Sequence, residues 1–139
     1  MKIQLKRKND AVLMEATNES GNSFLLDGSD KVGGVNGGFR PMQTLLAAVG
    51  GCSAIDIVDI LKKQRQPLDD LQIEVNAERE GDAAPSVFTA IDLHFKFKGD
   101  MDQNKVEKAV SLSIDKYCSV ARMLEKTAKI TYQITVEKE

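Results

Sequence analysis

Arg40-Pro-Met-Gln-Thr-Leu-Leu-Ala-Ala-Val-Gly-Gly-Cys-Ser-Ala-Ile-Asp-Ile-Val-Asp-Ile-Leu61 is the longest apolar run of the chain, and its reading decides the fold. From Met42 to Leu61 the only formal charges are Asp56 and Asp59. The first half is therefore apolar on every side, and the second half carries a narrow acidic stripe. A helix that is apolar all round belongs in a core, so a central buried helix is expected here. The run is about as long as a membrane span. Two glycines, a glutamine and two aspartates argue against insertion, which takes roughly 20 mostly apolar residues. Pro41 suits the first helical position, where its missing N–H has no partner to lose. Pro67 and Asp69-Asp70 lie beyond an expected stop near Lys63 or Gln64.

Upstream of the helix the pattern changes period. Residues 2 to 8 alternate Ile3 and Leu5 with Lys2, Gln4, Lys6 and Lys8, as a half-buried strand does. Asn9-Asp10 reads as a turn, residues 11 to 17 as a partner strand, Asn18 to Asn22 as a second turn, and Ser23 to Leu26 as a third strand. Residues 27 to 39 hold five glycines and form a loop long enough to suggest a task or mobility. Downstream, Leu71, Ile73, Val75 and Ala77 alternate with polar residues, as do Ile91, Leu93, Phe95 and Phe97. These are two strands joined through Gly81 to Pro85. Asp102 can cap a helix carrying Val106, Ala109, Val110 and Ile114. The helical pattern breaks near Asp115, a short helix is expected over 119–126, and residues 130 to 136 alternate as a last strand. Strands and helices are grouped rather than strictly alternating, which is the signature of an α+β class. A single domain, 1–139, is expected.

Composition narrows the partners. Nineteen basic residues against twenty-one acidic ones leave a net charge of -2. That balance offers no electrostatic footprint for nucleic acid or for an anionic membrane, so neither is expected as a partner. The N-terminal residues alternate charged and apolar side chains, unlike a secretory signal, and a cytoplasmic protein is expected. Two cysteines in a reducing compartment are better candidates for free or redox-active thiols than for a structural staple.

Cys52 lies midway along the helix, directly after Gly50-Gly51. Two helical glycines cost on the order of 1 kcal/mol each relative to alanine. Close packing against a neighbouring element offsets such a cost, and so does access of a small substrate to the sulfur; the glycines alone fit both. A buried cysteine is by default an inert small hydrophobe, and a reactive one needs its thiolate stabilised. Mid-helix placement and Asp56, one turn later, both work against that. A cation must therefore be brought in. Arg40 is nearest in sequence but stands about 18 Å away along the helix axis, so a cation from another strand or a second subunit serves equally. Cys118 sits at the helix break in Lys116-Tyr-Cys-Ser-Val-Ala121, where a thiol either packs or moves toward a partner. His94, the only histidine, has the parity of the polar strand face. One histidine and two distant cysteines make no zinc signature, and neither a metal nor another cofactor is expected.

The segments Pro41-Met-Gln-Thr-Leu-Leu-Ala-Ala-Val-Gly-Gly-Cys-Ser-Ala-Ile-Asp56 and Lys116-Tyr-Cys-Ser-Val-Ala121 resemble the OsmC/Ohr superfamily of osmotically induced and organic hydroperoxide resistance proteins, and within it the YhfA-like OsmC branch. The resemblance covers nearly the whole chain, since the order of elements, β(3)-α-β(2)-α(2)-β, also matches. It implies an OsmC-like fold in a strand-swapped homodimer whose two sites lie at the subunit interface. It implies a thiol peroxidase in which Cys52 matches the peroxidatic cysteine and Cys118 the resolving one. An organic hydroperoxide is then the substrate and an external dithiol the reductant. In the peroxidases an arginine stabilises the thiolate and is held by a glutamate just after the helix-opening proline. Here that stretch reads Pro41-Met42-Gln43, with no carboxylate, and Arg40 and Arg7 are the candidate arginines. The alternative within the same fold is a non-enzymatic protein that binds a small apolar ligand or senses thiol redox state. A third reading keeps both cysteines as packing residues.

Overall fold

The structure is a computed structural model and describes residues 1–138. Its backbone divides into two compact units, Met1–Leu45 and Leu46–Glu139, with the boundary inside the long helix.

The first unit begins with three antiparallel strands in the order β1 (Ile3–Arg7), β2 (Met14–Asn18) and β3 (Ser23–Leu26). Both turns are built by asparagine. Asn9 Oδ1 accepts the N–H groups of Ala11 and Leu13 at 2.9 and 3.2 Å. This occupies the amides of residues 11 and 13, and the second strand consequently starts at Met14 rather than at residue 11. Asn18 Oδ1 accepts from Ser20 and Asn22, an Asx turn of the kind its side chain favours. The half-buried first strand expected from the alternation is not found: Ile3 and Leu5 are 54% and 56% exposed, and of this sheet only Ala16 is buried. Leu5, Ala16 and Phe24 form one cross-strand row, an apolar face that the single chain leaves largely bare.

The glycine-rich loop is tied down at both ends. Asp27 N–H donates to Phe39 O at 2.9 Å, and Phe39 N–H to Leu25 O at 3.0 Å. The buried Asp27 carboxylate accepts the N–H groups of Gly28, Val35 and Gly37 at 2.8, 2.9 and 3.0 Å, so the loop wraps round a single anion. Asp30–Val32 form a single 3-10 turn within it. At Gly38 a side chain would collide with the Leu25 carbonyl, which explains a glycine there. The loop leads into α1 (Pro41–Lys63). Gln43 Oε1 accepts the Arg40 N–H at 2.9 Å, the glutamine half of a capping box.

In the second unit, β4 (Asp70–Arg79) and β5 (Phe88–Lys98) pair antiparallel, and β6 (Lys129–Glu137) adds parallel to β5. The parallel pairing needs a crossover. It is supplied by α2 (Gln103–Leu112), a π-helical turn (Ser113–Tyr117) and α3 (Ser119–Leu124). Asp102 caps α2 as expected, accepting the Asn104 N–H at 2.8 Å. Phe88, Ile91, Leu93, Phe95 and Phe97 of β5 are buried, with Val49, Ile57 and Leu61 of α1 and Val106, Ala109 and Val110 of α2. Full burial of one such side chain stabilises by about 1.5–3 kcal/mol. The opposite parity of β5 is polar, and His94 there pairs with Thr135 Oγ1 at 2.7 Å.

The long helix is not buried all round. Val49, Gly50, Ser53, Ile57 and Leu61 face the core, but Leu45, Ile55 and Val58 are 38%, 73% and 44% exposed. An all-apolar surface reports a need for cover and does not specify that the same chain supplies it. By length and composition alone α1 could also cross a membrane.

Candidate active site

Cys52 is partly exposed on α1, and Cys118 is 2% exposed at the start of α3. Both belong to the second unit, and Cys52 is near enough to Cys118 to act on its thiol. A small polar cluster links the helix that carries Cys52 to the turn that precedes Cys118. Ser53, fully buried beside Cys52, turns its hydroxyl back onto its own helix, donating toward Val49 O and Gly50 O at 2.8 and 3.0 Å. Asp56 follows Cys52 by one turn and so shares its side of the helix. Ser113 Oγ reaches α1 from the π-helical turn, 3.1 Å from Asp56 Oδ2 and 3.3 Å from Ser53 O.

The pattern break expected near Asp115 is the π-helical turn itself. Its wide bond runs from Cys118 N–H to Ser113 O at 2.7 Å. Cys118 then leaves helical geometry, at φ -73 and ψ 103, and becomes the N-cap of α3, its sulfur accepting the Ala121 N–H at 3.3 Å. Thr127 and Ala128 donate to Leu124 O, so α3 stops there, short of the expected residue 126.

Burial and Cys52 act on the Cys118 thiol in the same direction. Burial pushes the Cys118 thiol up to about 11, and Cys52 pushes it the same way through a hydrogen bond and through charge, while the Ala121 N–H opposes them. At neutral pH Cys118 is therefore a protonated thiol. The exposed member of the pair is the one a solute meets first.

Arg40 stands immediately before α1 and has neighbours of its own. Its backbone N–H is held by Gln43, and its guanidinium is near enough to Asp27 to act on it. The Gly37 and Val35 N–H groups hold the Asp27 carboxyl below its usual range against the cost of burial, with smaller contributions from Gly28 and Arg40. Arg7 ends β1. Asp27, Ser53 and Ser113 were not singled out from sequence. In the sequence Asp27 is one residue of the glycine-rich loop and Ser113 one residue of an amphipathic span, and neither pattern marks a function.

The glycine pair divides its roles. A Cβ on Gly50 would meet Val75 Cγ2 of β4 at 3.4 Å, ordinary contact, whereas on Gly51 it would meet nothing within 4 Å. On this side of α1 an open groove of about 420 Å3 runs between Ala47, Gly50, Gly51 and Ala54 of α1 and Ile73 and Val75 of β4. Among the described residues, no three His, Cys, Asp or Glu side chains come together to hold a metal ion.

Residues 33–133 match the family model described as OsmC-like protein. Over 120 residues the chain is 46% identical to protein YhfA of Escherichia coli K12, covering 84% of each chain. Among solved structures it is similar to a hypothetical protein from Aquifex aeolicus, with TM-score 0.80, 28% identity and coverage of 98% of this chain and 96% of that one. It also shares its fold with an organic hydroperoxide resistance protein OsmC from Legionella pneumophila, with TM-score 0.71, 15% identity and 97% of each chain covered.

Proposed function

Because the chain belongs to the OsmC-like protein family, we propose that it is a cytoplasmic thiol peroxidase that reduces organic hydroperoxides through Cys52 and Cys118. The observation that carries this reading is a partly exposed thiol, Cys52, near enough to a buried one, Cys118, to act on it. The Cys52 thiolate attacks the terminal peroxide oxygen, the O–O bond breaks, and the leaving alkoxide takes a proton to become an alcohol. Cys52 is left as a sulfenic acid. The Cys118 sulfur then attacks Cys52, its proton leaves with the displaced hydroxide as water, and a disulfide remains. An external dithiol returns both thiols by two exchanges and is itself oxidised. Part of what keeps Cys118 protonated is Cys52.

Stabilisation of the Cys52 thiolate is assigned to an arginine from outside the body of α1. Arg40 is the candidate, with Asp27 as its carboxylate. The homodimer belongs to the same reading. Two bare apolar surfaces, the outer side of α1 with Ile55 and the row of Leu5 and Phe24 on the first sheet, call for cover that a second copy supplies.

The test is consumption of cumene hydroperoxide in the presence of dithiothreitol. Wild type turns over, Cys52→Ser is inactive, and Cys118→Ser supports one oxidation per chain. Wild-type protein that leaves the hydroperoxide untouched refutes the proposal.

A further inference from the structure

A π-helical turn is rare, its single turns cluster at functional positions, and it needs a local cause. Here the cause and the consequence both run through Ser113. Its carbonyl takes the Cys118 N–H at 2.7 Å, closing the turn. Its hydroxyl bonds α1 at two acceptors, Asp56 Oδ2 at 3.1 Å and the carbonyl of Ser53, the residue next to Cys52, at 3.3 Å. One fully buried side chain therefore links the backbone that carries one thiol to the helix that carries the other.

We infer that Ser113 is a positioning residue: by pinning the π-helical turn to Asp56 and Ser53 it sets the Cys118 sulfur for attack on Cys52. The inference rests on the reading of Cys118 as the resolving thiol. It adds that the attack geometry is set by a polar link outside the pair of sulfurs. The Ser113 hydroxyl is bonded to α1 and to neither sulfur. Without its hydroxyl the turn keeps its own wide hydrogen bond but loses its register on α1, and Cys118 samples orientations that do not react.

The reaction of the reduced protein with 5,5′-dithiobis(2-nitrobenzoic acid) separates the two steps without peroxide. Cys52 forms a mixed disulfide and releases one nitrothiobenzoate; Cys118 then attacks the Cys52 sulfur, releases the second and closes the protein disulfide. In Ser113→Ala the first release stays within about twofold of wild type, while the second slows about five- to tenfold, the kinetic equivalent of one net hydrogen bond. Asp56→Ala slows the second release in the same direction. Asp56→Asn, which keeps an acceptor oxygen for Ser113, restores it. A Ser113→Ala variant whose second release matches wild type overturns the inference. If that variant does not fold, the Asp56 pair decides, and equal second releases from Asp56→Ala and Asp56→Asn overturn it. Absence of any second release in wild type also overturns it, together with the pairing of the thiols. A slowed second release in Ser113→Ala, in a protein that ignores cumene hydroperoxide, refutes the peroxidase and leaves the positioning role standing.

Discussion

Cys118 makes the stability of the reduced chain depend on pH in the alkaline range. The thiol is 2% exposed, and burial first, then Cys52, carry it from its ordinary 9.0 up to about 11. The folded chain therefore holds this proton more tightly than the unfolded chain does. The resulting stabilisation is complete below the unfolded value and is lost as pH rises through the folded one. Each pH unit within that window is worth about 1.4 kcal/mol, so the difference between about 11 and 9.0 is worth about 2 to 3 kcal/mol. Urea unfolding of reduced wild type and of Cys118→Ala, from about pH 8 to about pH 11, isolates the effect, because the lysines titrate in both proteins and cancel. At the low end the variant is less stable by what the lost packing costs. Toward the high end the wild type loses about 2 to 3 kcal/mol more than the variant does, and its urea midpoint falls about 1 to 2 M further. Parallel decline of the two proteins across the window refutes the reasoning, since it means that the fold does not hold Cys118 protonated.

Three further outcomes follow from particular contacts. Asp27 gathers three backbone N–H groups, and its lowered carboxyl contributes stability that is present above 3.8 and lost as pH falls through its folded value. In Asp27→Ala the Val35 and Gly37 amides exchange hydrogen about tenfold faster or more, and unchanged exchange counts against the loop's dependence on that anion. Gly99 sits at φ +143 with its missing Cβ aimed at the Pro67 carbonyl. Gly99→Ala lowers stability by about 2 to 4 kcal/mol in thermal unfolding, and an unchanged melting temperature contradicts the clash. Ile55, 73% exposed on α1, lies on the surface assigned to a second copy. Ile55→Lys shifts sedimentation from dimer to monomer without loss of helix signal, whereas a dimer that survives the charge excludes that surface.

Much of the fold was legible because it depends on local chemistry. Pro41 opens α1 and the chain breaks helix before Pro67; Asn9 and Asn18 make their turns; Asp102 caps α2; and period 2 fixes β4, β5 and β6. The break near Asp115 was visible as a lapse in periodicity, but not as a π-helical turn, because one residue added to a turn leaves no distinct mark in a hydrophobic pattern. The candidate site was legible in its parts only. Cys52 and Cys118 stood out by type, yet their meeting depends on how α2 and α3 fold back on α1, and the resemblance of motifs carried that expectation where spacing could not. Ser113 and Asp27 were silent for the same reason: a serine or an aspartate acquires its meaning from distant acceptors and donors.

The long helix shows where sequence reasoning has a limit in principle. Hydrophobicity in the run from Met42 to Leu61 measures how much surface must leave water, and α1 in a single chain buries only the side bearing Val49, Ile57 and Leu61. The other side, with Leu45, Ile55 and Val58, is as apolar in composition and remains exposed. Patterns of one chain cannot distinguish surface kept for its own core from surface kept for another copy, since the transfer free energy per unit area is the same in both. The same ambiguity holds for Ile3, Leu5 and Phe24 on a three-stranded sheet with a single buried side chain, a structure of marginal stability without a covered face. Two independent elements thus expose apolar faces of the kind that obligate homodimers bury. Cys52 shares the exposed side of α1 with Leu45, about two turns of helix apart, so whatever covers that side also determines which solutes reach the sulfur.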